Sequence, residues 1–226
     1  MKFLLASLLF VSFSAFAFRL TPMSETLELS KKKQFINFQI ENGSTEALPV
    51  QLTVKLRKMN EAGEDILEDT KEVSIYPDQI IVPGEQKRSI KVAWLGGDLK
   101  DEKSYRIIAE QLPLELGKSK SKTGIKMLLK YVAALYVNPA DTKSNVSCEI
   151  MKSEFWCKNS GNKHQILNFK SISIADGKKK IEIAEDELKR INGENILPGI
   201  QRKIKLKLPE SIKQTSKAKV EIKLND

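Results

Sequence analysis

The chain has 226 residues, a formal charge of +9 and 41% hydrophobic residues. That apolar content is ordinary for a globular protein and can fill one core in each of two domains of about 100 residues. The basic residues form no patch. They alternate with apolar ones, as in Lys203-Ile204-Lys205-Leu206-Lys207-Leu208. Such alternation marks the wet face of a sheet, and without interleaved aromatics for base stacking it argues against nucleic acid as a partner. The positive excess still favours acidic partners.

The chain opens with Lys2, an apolar run to Phe13 and the small-x-small Ala15-Phe16-Ala17. This is the layout of a secretory signal peptide, assigned to 1–17. The run is short of the roughly 20 residues of a membrane-spanning helix. No second apolar run follows, so no stable membrane insertion is expected.

Helical periodicity is scarce beyond that point. Predicted strands are 27–29, 35–41, 50–58, 72–76, 79–82, 89–94, 105–111 and 125–137, then 147–151, 154–158, 165–174, 180–183, 201–208 and 217–224. Residues 184–190 suit one or two helical turns. Turn signals such as Asn42-Gly43-Ser44, Pro83-Gly84, Asp176-Gly177 and Pro198-Gly199 separate the runs. Many short strands at this spacing predict an all-β protein of two immunoglobulin-like antiparallel β-sandwich domains. Pro139 stops the long strand before it, which divides the chain into 18–139 and 140–226. The small, polar, like-charged stretch 117–124 is expected to be a mobile loop.

Cys148 and Cys157 are the two cysteines. If Lys152-Ser153 makes a two-residue hairpin turn, Met151 faces Glu154, Ile150 faces Phe155 and Cys148 faces Cys157. The alternation makes the last a closely spaced, non-hydrogen-bonded pair, compatible with a disulfide. Its spacing is not that of a redox-active C-x-x-C.

Catalytic chemistry has little to draw on. The single histidine, His164, lies in a turn-like segment and reads as a surface or turn residue. No nucleophile elbow, zinc-ligand cluster, phosphate loop or carboxylate pair is present in the pattern, so neither enzyme activity, a metal nor a cofactor is expected.

The stretch 125–137 is long for a strand, whose usual length is about 5–6 residues. Ile125, Met127 and Leu129 place large apolar groups at alternate positions, interleaved with Lys126 and Lys130 but broken by Leu128. On a sheet edge, that row and its free backbone groups could pair with another chain by β-augmentation. An ordinary core strand fits the same pattern equally well.

Several segments, in order, resemble the periplasmic chaperones of the chaperone–usher pilus pathway. They are Phe38-Gln39-Ile40-Glu41-Asn42-Gly43-Ser44 with Leu48-Pro49-Val50-Gln51, and Tyr76-Pro77-Asp78-Gln79-Ile80-Ile81-Val82-Pro83-Gly84-Glu85-Gln86. Then come Glu102-Lys103-Ser104-Tyr105-Arg106 ending in Leu112-Pro113, and Leu135-Tyr136-Val137-Asn138-Pro139. Asn159-Ser160-Gly161-Asn162-Lys163-His164 and Leu197-Pro198-Gly199 complete the series. The resemblance implies two sandwiches with a cleft between them. It also implies that Ile125, Met127 and Leu129 are donated to an unfinished pilus or surface-fibre subunit, with delivery to an outer-membrane usher and residence in the periplasm. The family's two carboxylate-gripping basic residues fall at Ala134 and near Ser24, neither basic, which leaves Arg19 and Lys130 as candidate anchors. Its buried interdomain ion pair falls on Lys91 and Glu102. A secreted adhesin or structural envelope protein that uses the same sandwiches for itself is the alternative.

Overall fold

A computed structural model describes residues 18–31, 33–113, 127–176, 179–213 and 218–225. The first half contains β1 (Phe18–Thr21), β2 (Ser24–Glu28), a 3-10 turn (Leu29–Lys31), β3 (Phe35–Asn42), β4 (Leu48–Met59) and β5 (Asp65–Glu68). It continues with β6 (Val73–Tyr76), β7 (Gln79–Val82), β8 (Lys87–Trp94), β9 (Lys103–Gln111) and β10 (Lys130–Asn138). The second half contains β11 (Val146–Met151), β12 (Glu154–Asn159), β13 (Gln165–Leu167), β14 (Phe169–Asp176), β15 (Lys179–Glu182) and α1 (Glu185–Ile191). The remaining elements are β16 (Glu194–Ile196), β17 (Gln201–Ile204), α2 (Glu210–Lys213) and β18 (Lys219–Leu224).

Two sheets make the first sandwich. One runs β1-β3-β8-β6; the other runs β2-β10-β9-β4-β5, with β7 also paired to β4. Alternation decides which side chains meet between them. Ile36, Phe38 and Ile40 of β3 and Ile90, Val92 and Trp94 of β8 point inward, against Leu52, Tyr105, Ile107, Leu135 and Val137. The intervening Asn37 and Gln39 of β3 and Ser89 and Lys91 of β8 stay in water, so one face of these strands is dry and the other wet.

A second, separate core fills the sandwich built from β11-β12-β17, β13-β16 and β15-β14-β18. Phe155, Leu167, Ile172, Ile174 and Ile196 are its most buried members. Cys148 and Cys157 form a disulfide with Cα atoms 4.0 Å apart, at register partners of the β11–β12 hairpin. Lys152 and Ser153 have φ of 50° and 63°, so the two-residue turn twists with its strands. Helix α1 carries Glu185, Asp186 and Glu187 in its first turn and Lys189 and Arg190 in its last, a distribution that suits the helix dipole, and it buries Leu188 and Ile191.

The structure redraws several predicted boundaries. The strand expected at 27–29 lies earlier, as β2, and the chain turns into a 3-10 helix at Leu29. β1, β5 and β16 are strands too short or too polar to stand out in the pattern. The run 165–174 breaks at Asn168, whose carbonyl accepts from Asn225 N–H at 2.8 Å, so β13 and β14 enter different sheets. β17 stops at Ile204, although Leu206 and Leu208 remain buried. The predicted strand 125–137 begins at Lys130, while Met127, Leu128 and Leu129 are outside any strand. The signal peptide, the loop 117–124 and Ile125 lie outside the described residues.

Candidate functional site

β10 is paired on both sides only in its second half. It runs antiparallel to β9 along Lys130–Val137, but its parallel partner β2 begins at Ala134↔Ser24. Among the described residues, no strand pairs with the other edge of 130–133. Upstream, the main chain still holds to β9: Gln111 N–H donates to Leu129 O at 2.9 Å. The result is a backbone edge several residues long with no strand partner on its outer side among the described residues.

The side chains of that stretch divide by face. Leu129, Tyr131, Ala133, Leu135 and Val137 turn toward the first core, where Phe18 meets the Tyr131 ring at 4.7 Å in an edge-on contact. Met127 is 76% exposed, Leu128 44% and Val132 41%. The predicted apolar row is therefore split: Met127 is free, Leu129 is partly buried, and Ile125 lies outside the described residues.

The candidate carboxylate anchors do not converge. Arg19 alternates with the buried Phe18 and Leu20, so it projects outward from the sheet of β1. Lys130 alternates with core-facing Tyr131, so it projects outward from the opposite sheet, 3.6 Å from Glu110. Side chains on opposite faces of one sandwich cannot grip one carboxylate. The positions counted from the motif do meet, since Ala134 and Ser24 are register partners, but neither carries charge.

The expected pair of Lys91 and Glu102 does not form. Lys91 Nζ sits 4.3 Å from the centroid of the Phe35 ring, on the outer face of β8. Glu102, with a fully buried side chain, receives His164 instead: the backbone N–H at 3.1 Å and Nδ1 at 2.7 and 2.8 Å from its two oxygens. A buried carboxylate requires such donors, because desolvation without them is costly. His164, read from sequence as a surface or turn residue, lies in a turn but is largely buried there. Its ring stacks on Tyr136 at 3.7 Å. Glu102 N–H donates to Asn162 O, and Asn195 Nδ2 donates to the Tyr136 hydroxyl. These contacts join the two sandwiches.

A second joint lies alongside. Gly63 has φ +82°, and an added Cβ would lie 1.8 Å from Arg202 Nη2, so the 60–64 turn rests directly on that guanidinium. Lys203 N–H donates to Glu61 O at 2.8 Å. On the first sandwich, Arg57 Nε and Arg106 Nε donate to the two oxygens of Asp65 at 2.6 and 2.8 Å. Burial pushes the Asp65 carboxyl up, but hydrogen bonds and charge from both arginines outweigh it and hold it below its ordinary value. The Lys103 hydrogen bond lowers Glu72, with a further contribution from the Tyr105 hydroxyl outweighing burial. Burial, then the Glu72 hydrogen bond, pushes Tyr105 up.

Arg106 is the residue that sequence reasoning passed over. It is the register partner of Ala134 on β9, on the same outward face, with its side chain 18% exposed. Parity within Tyr105-Arg106 could have shown that it faces away from the core, but its neighbour depends on the β9–β10 register. Tyr136 was visible only as part of a motif. Its stacking partner comes from the other sandwich.

No protein-family model matches the sequence, and no curated protein matches it significantly. Solved structures do match by shape. A chain of the chaperone–tip adhesin complex described for CFA/I fimbriae biogenesis aligns with TM-score 0.65 and 18% identity, over 92% of this chain and 94% of its own. The class 5 fimbriae chaperone CfaA aligns with TM-score 0.63 and 16% identity, over 92% of this chain and 100% of its own. A chain of the CsuC–CsuE chaperone–tip adhesion subunit complex from archaic Csu pili of Acinetobacter baumannii gives 0.58 and 16%, over 83% and 89%. The chain thus has the two-sandwich architecture found in fimbrial chaperone structures.

Proposed function

We propose that the protein is a periplasmic chaperone that holds unfinished pilus or surface-fibre subunits by lending them the open edge of β10, and hands them to an outer-membrane usher. One observation carries the reading: residues 130–133 are paired to β9 alone among the described residues, beside the exposed Met127, Leu128 and Val132. A subunit lacking a strand exposes an apolar groove and unpaired backbone groups. An edge of this kind satisfies both at once, and each large apolar side chain buried contributes about 1.5–3 kcal/mol before ordering costs. The similarity in shape to fimbrial chaperones supports the same reading. The reading assigns no catalysis. The donated side chains are Ile125, Met127 and, at the point where the strand meets its own core, Leu129. Among basic residues, Arg106 beside Ala134 is better placed than Arg19 or Lys130 to meet a subunit's terminal carboxylate. Residues 18–139 and 140–226 serve as the two domains, after removal of 1–17.

The test is capture of clients from periplasm with the native chain and with Ile125→Asp/Met127→Asp. Met127 is exposed, so its change leaves the described core intact. The expected result is loss of copurifying subunits from the double variant at unchanged thermal stability. Equal recovery by both forms sinks strand donation. Ordered self-assembly of the native chain without any client favours a structural role.

A further inference from the structure

Four of the five methionines lie among the described residues, and they sort by exposure. Met59 is 6% exposed and pairs through β4 with Asp65, beside the far edge of the β2-β10-β9-β4-β5 sheet. Met151 is half-buried on β11 in the second sandwich, where Gln201 Nε2 reaches its sulfur at 3.9 Å. Met127 is 76% exposed and Met23 50% exposed. These two bracket the part of β10 that is paired to β9 alone: Met127 precedes Lys130, and the carbonyl of Met23 accepts Ala134 N–H at 2.9 Å. The exposed methionines thus stand at the two ends of the edge assigned above to client binding.

A thioether is unbranched, polarisable and apolar, so it fills an irregular apolar groove without a hydrogen-bond partner. Oxidation reverses that character. One oxygen atom passes from a hydroperoxide to sulfur, the O–O bond breaks, and water or an alcohol leaves; sulfur gives up the electron pair that the peroxide takes. The sulfoxide oxygen is a strong acceptor, and in an apolar groove without a donor it carries a desolvation penalty. An oxidant must reach the sulfur, so Met127 is the first target and Met59 the last. Both cysteines are already joined in a disulfide, so no thiol competes for the oxidant.

We propose that Met127, with Met23 at the other end of the edge, is a reversible oxidation site through which hydroperoxides switch off client binding. The inference rests on the strand-donation reading and adds a control to it. Leu128 and Leu129 lie between Met127 and the strand and are inert to the same oxidant, so the response belongs to sulfur. Because Met59 is buried, the first core stays unmodified and the fold survives the switch. Sulfoxide reduction by a thiol-dependent reductase returns the thioether and releases water, which makes the switch reversible.

The test treats the full native chain with hydrogen peroxide, maps added oxygen by peptide mass spectrometry, and measures capture of pilus or surface-fibre subunits from a peroxide-free periplasmic extract. Met127 and Met23 are expected to gain oxygen first, at unchanged thermal stability. Capture should fall about tenfold or more, the weight of one large apolar side chain in the groove. Methionine sulfoxide reductase with thiol should restore it, and thiol alone should not. In Met23→Leu/Met127→Leu, the ratio of capture after peroxide to capture before it should hold, whatever the starting level. Full capture by a chain whose Met127 is the sulfoxide, a loss that persists in the leucine variant, or oxygen entering Met59 together with loss of stability would each overturn the proposal. A native chain that captures no subunit before peroxide overturns strand donation itself, and this inference with it.

Discussion

Two asparagines show how single residues hold this fold together. Asn42 is 2% exposed and Asn159 fully buried. Asn42 Nδ2 donates to the carbonyls of Glu46 and Val82 at 2.7 and 3.0 Å, and its Oδ1 accepts from Ser44 N–H. Asn159 does the same for its own sandwich, donating to Lys163 and Ile196 carbonyls and accepting from the N–H groups of Asn145 and Gly161. Each ties a turn to a neighbouring segment where no strand ladder can. Asn159→Ala strands buried carbonyls and should cost about 1–3 kcal/mol in urea unfolding followed by tryptophan fluorescence. Asp65 gives a pH signature. Its folded value is lowered from 3.8, so its stabilisation is complete above that value and is lost as pH falls through the folded one. Glu72 acts in the same sense, lowered from 4.5. Asp65→Asn is therefore expected to destabilise at pH 7, with the difference from the native chain shrinking below pH 3.8.

At the scale of elements, the β11–β12 hairpin is the clearest unit. Its register runs Met151↔Glu154, Ile150↔Phe155 and Cys148↔Cys157, so the turn and the disulfide specify the same pairing. Cys157 is 1% exposed within the second core. Replacing both cysteines by alanine removes a short covalent loop and should cost about 2–3 kcal/mol on the chain-entropy account. The loss is measurable by urea unfolding without reductant. β10 is the opposite kind of element, because its two halves have different neighbours. Among the described residues the first half has no strand partner along one edge, and the second is sealed by β2. β1 and β2 explain the difference: the chain leaves one sheet at Thr21 and enters the other at Ser24, and so covers β10 only from Ala134 onward.

For the molecule as a whole, the placement of one sandwich against the other rests on few groups. Glu102 is buried and depends on two donors from a single residue of the other half. His164→Ala leaves only the backbone donor and removes the stack on Tyr136. Its expected effect is a loosened joint, read as a larger radius of gyration in solution scattering and about 1–3 kcal/mol lower stability. An unchanged scattering profile would show that the Gly63–Arg202 and Lys203–Glu61 contacts hold the sandwiches without it.

Local pattern was enough to read the all-β class, most strands, the hairpin and its disulfide from the chain, because alternation and turn residues act within about ten positions. The run to Val137 was legible as a strand in the same way, although it starts at Lys130 and leaves Met127 and Leu129 outside it. What lay beyond the pattern were the neighbours. Whether a strand is an edge depends on where β2 lies, about a hundred residues away along the chain. Whether Glu102 pairs with Lys91 or His164 depends on how two sandwiches pack. Arg19 and Lys130 looked equivalent in sequence, yet they stand on opposite faces of one sandwich. Periodicity assigns a side chain to a face; only the sheet order and the packing of one sandwich on the other decide what that face meets.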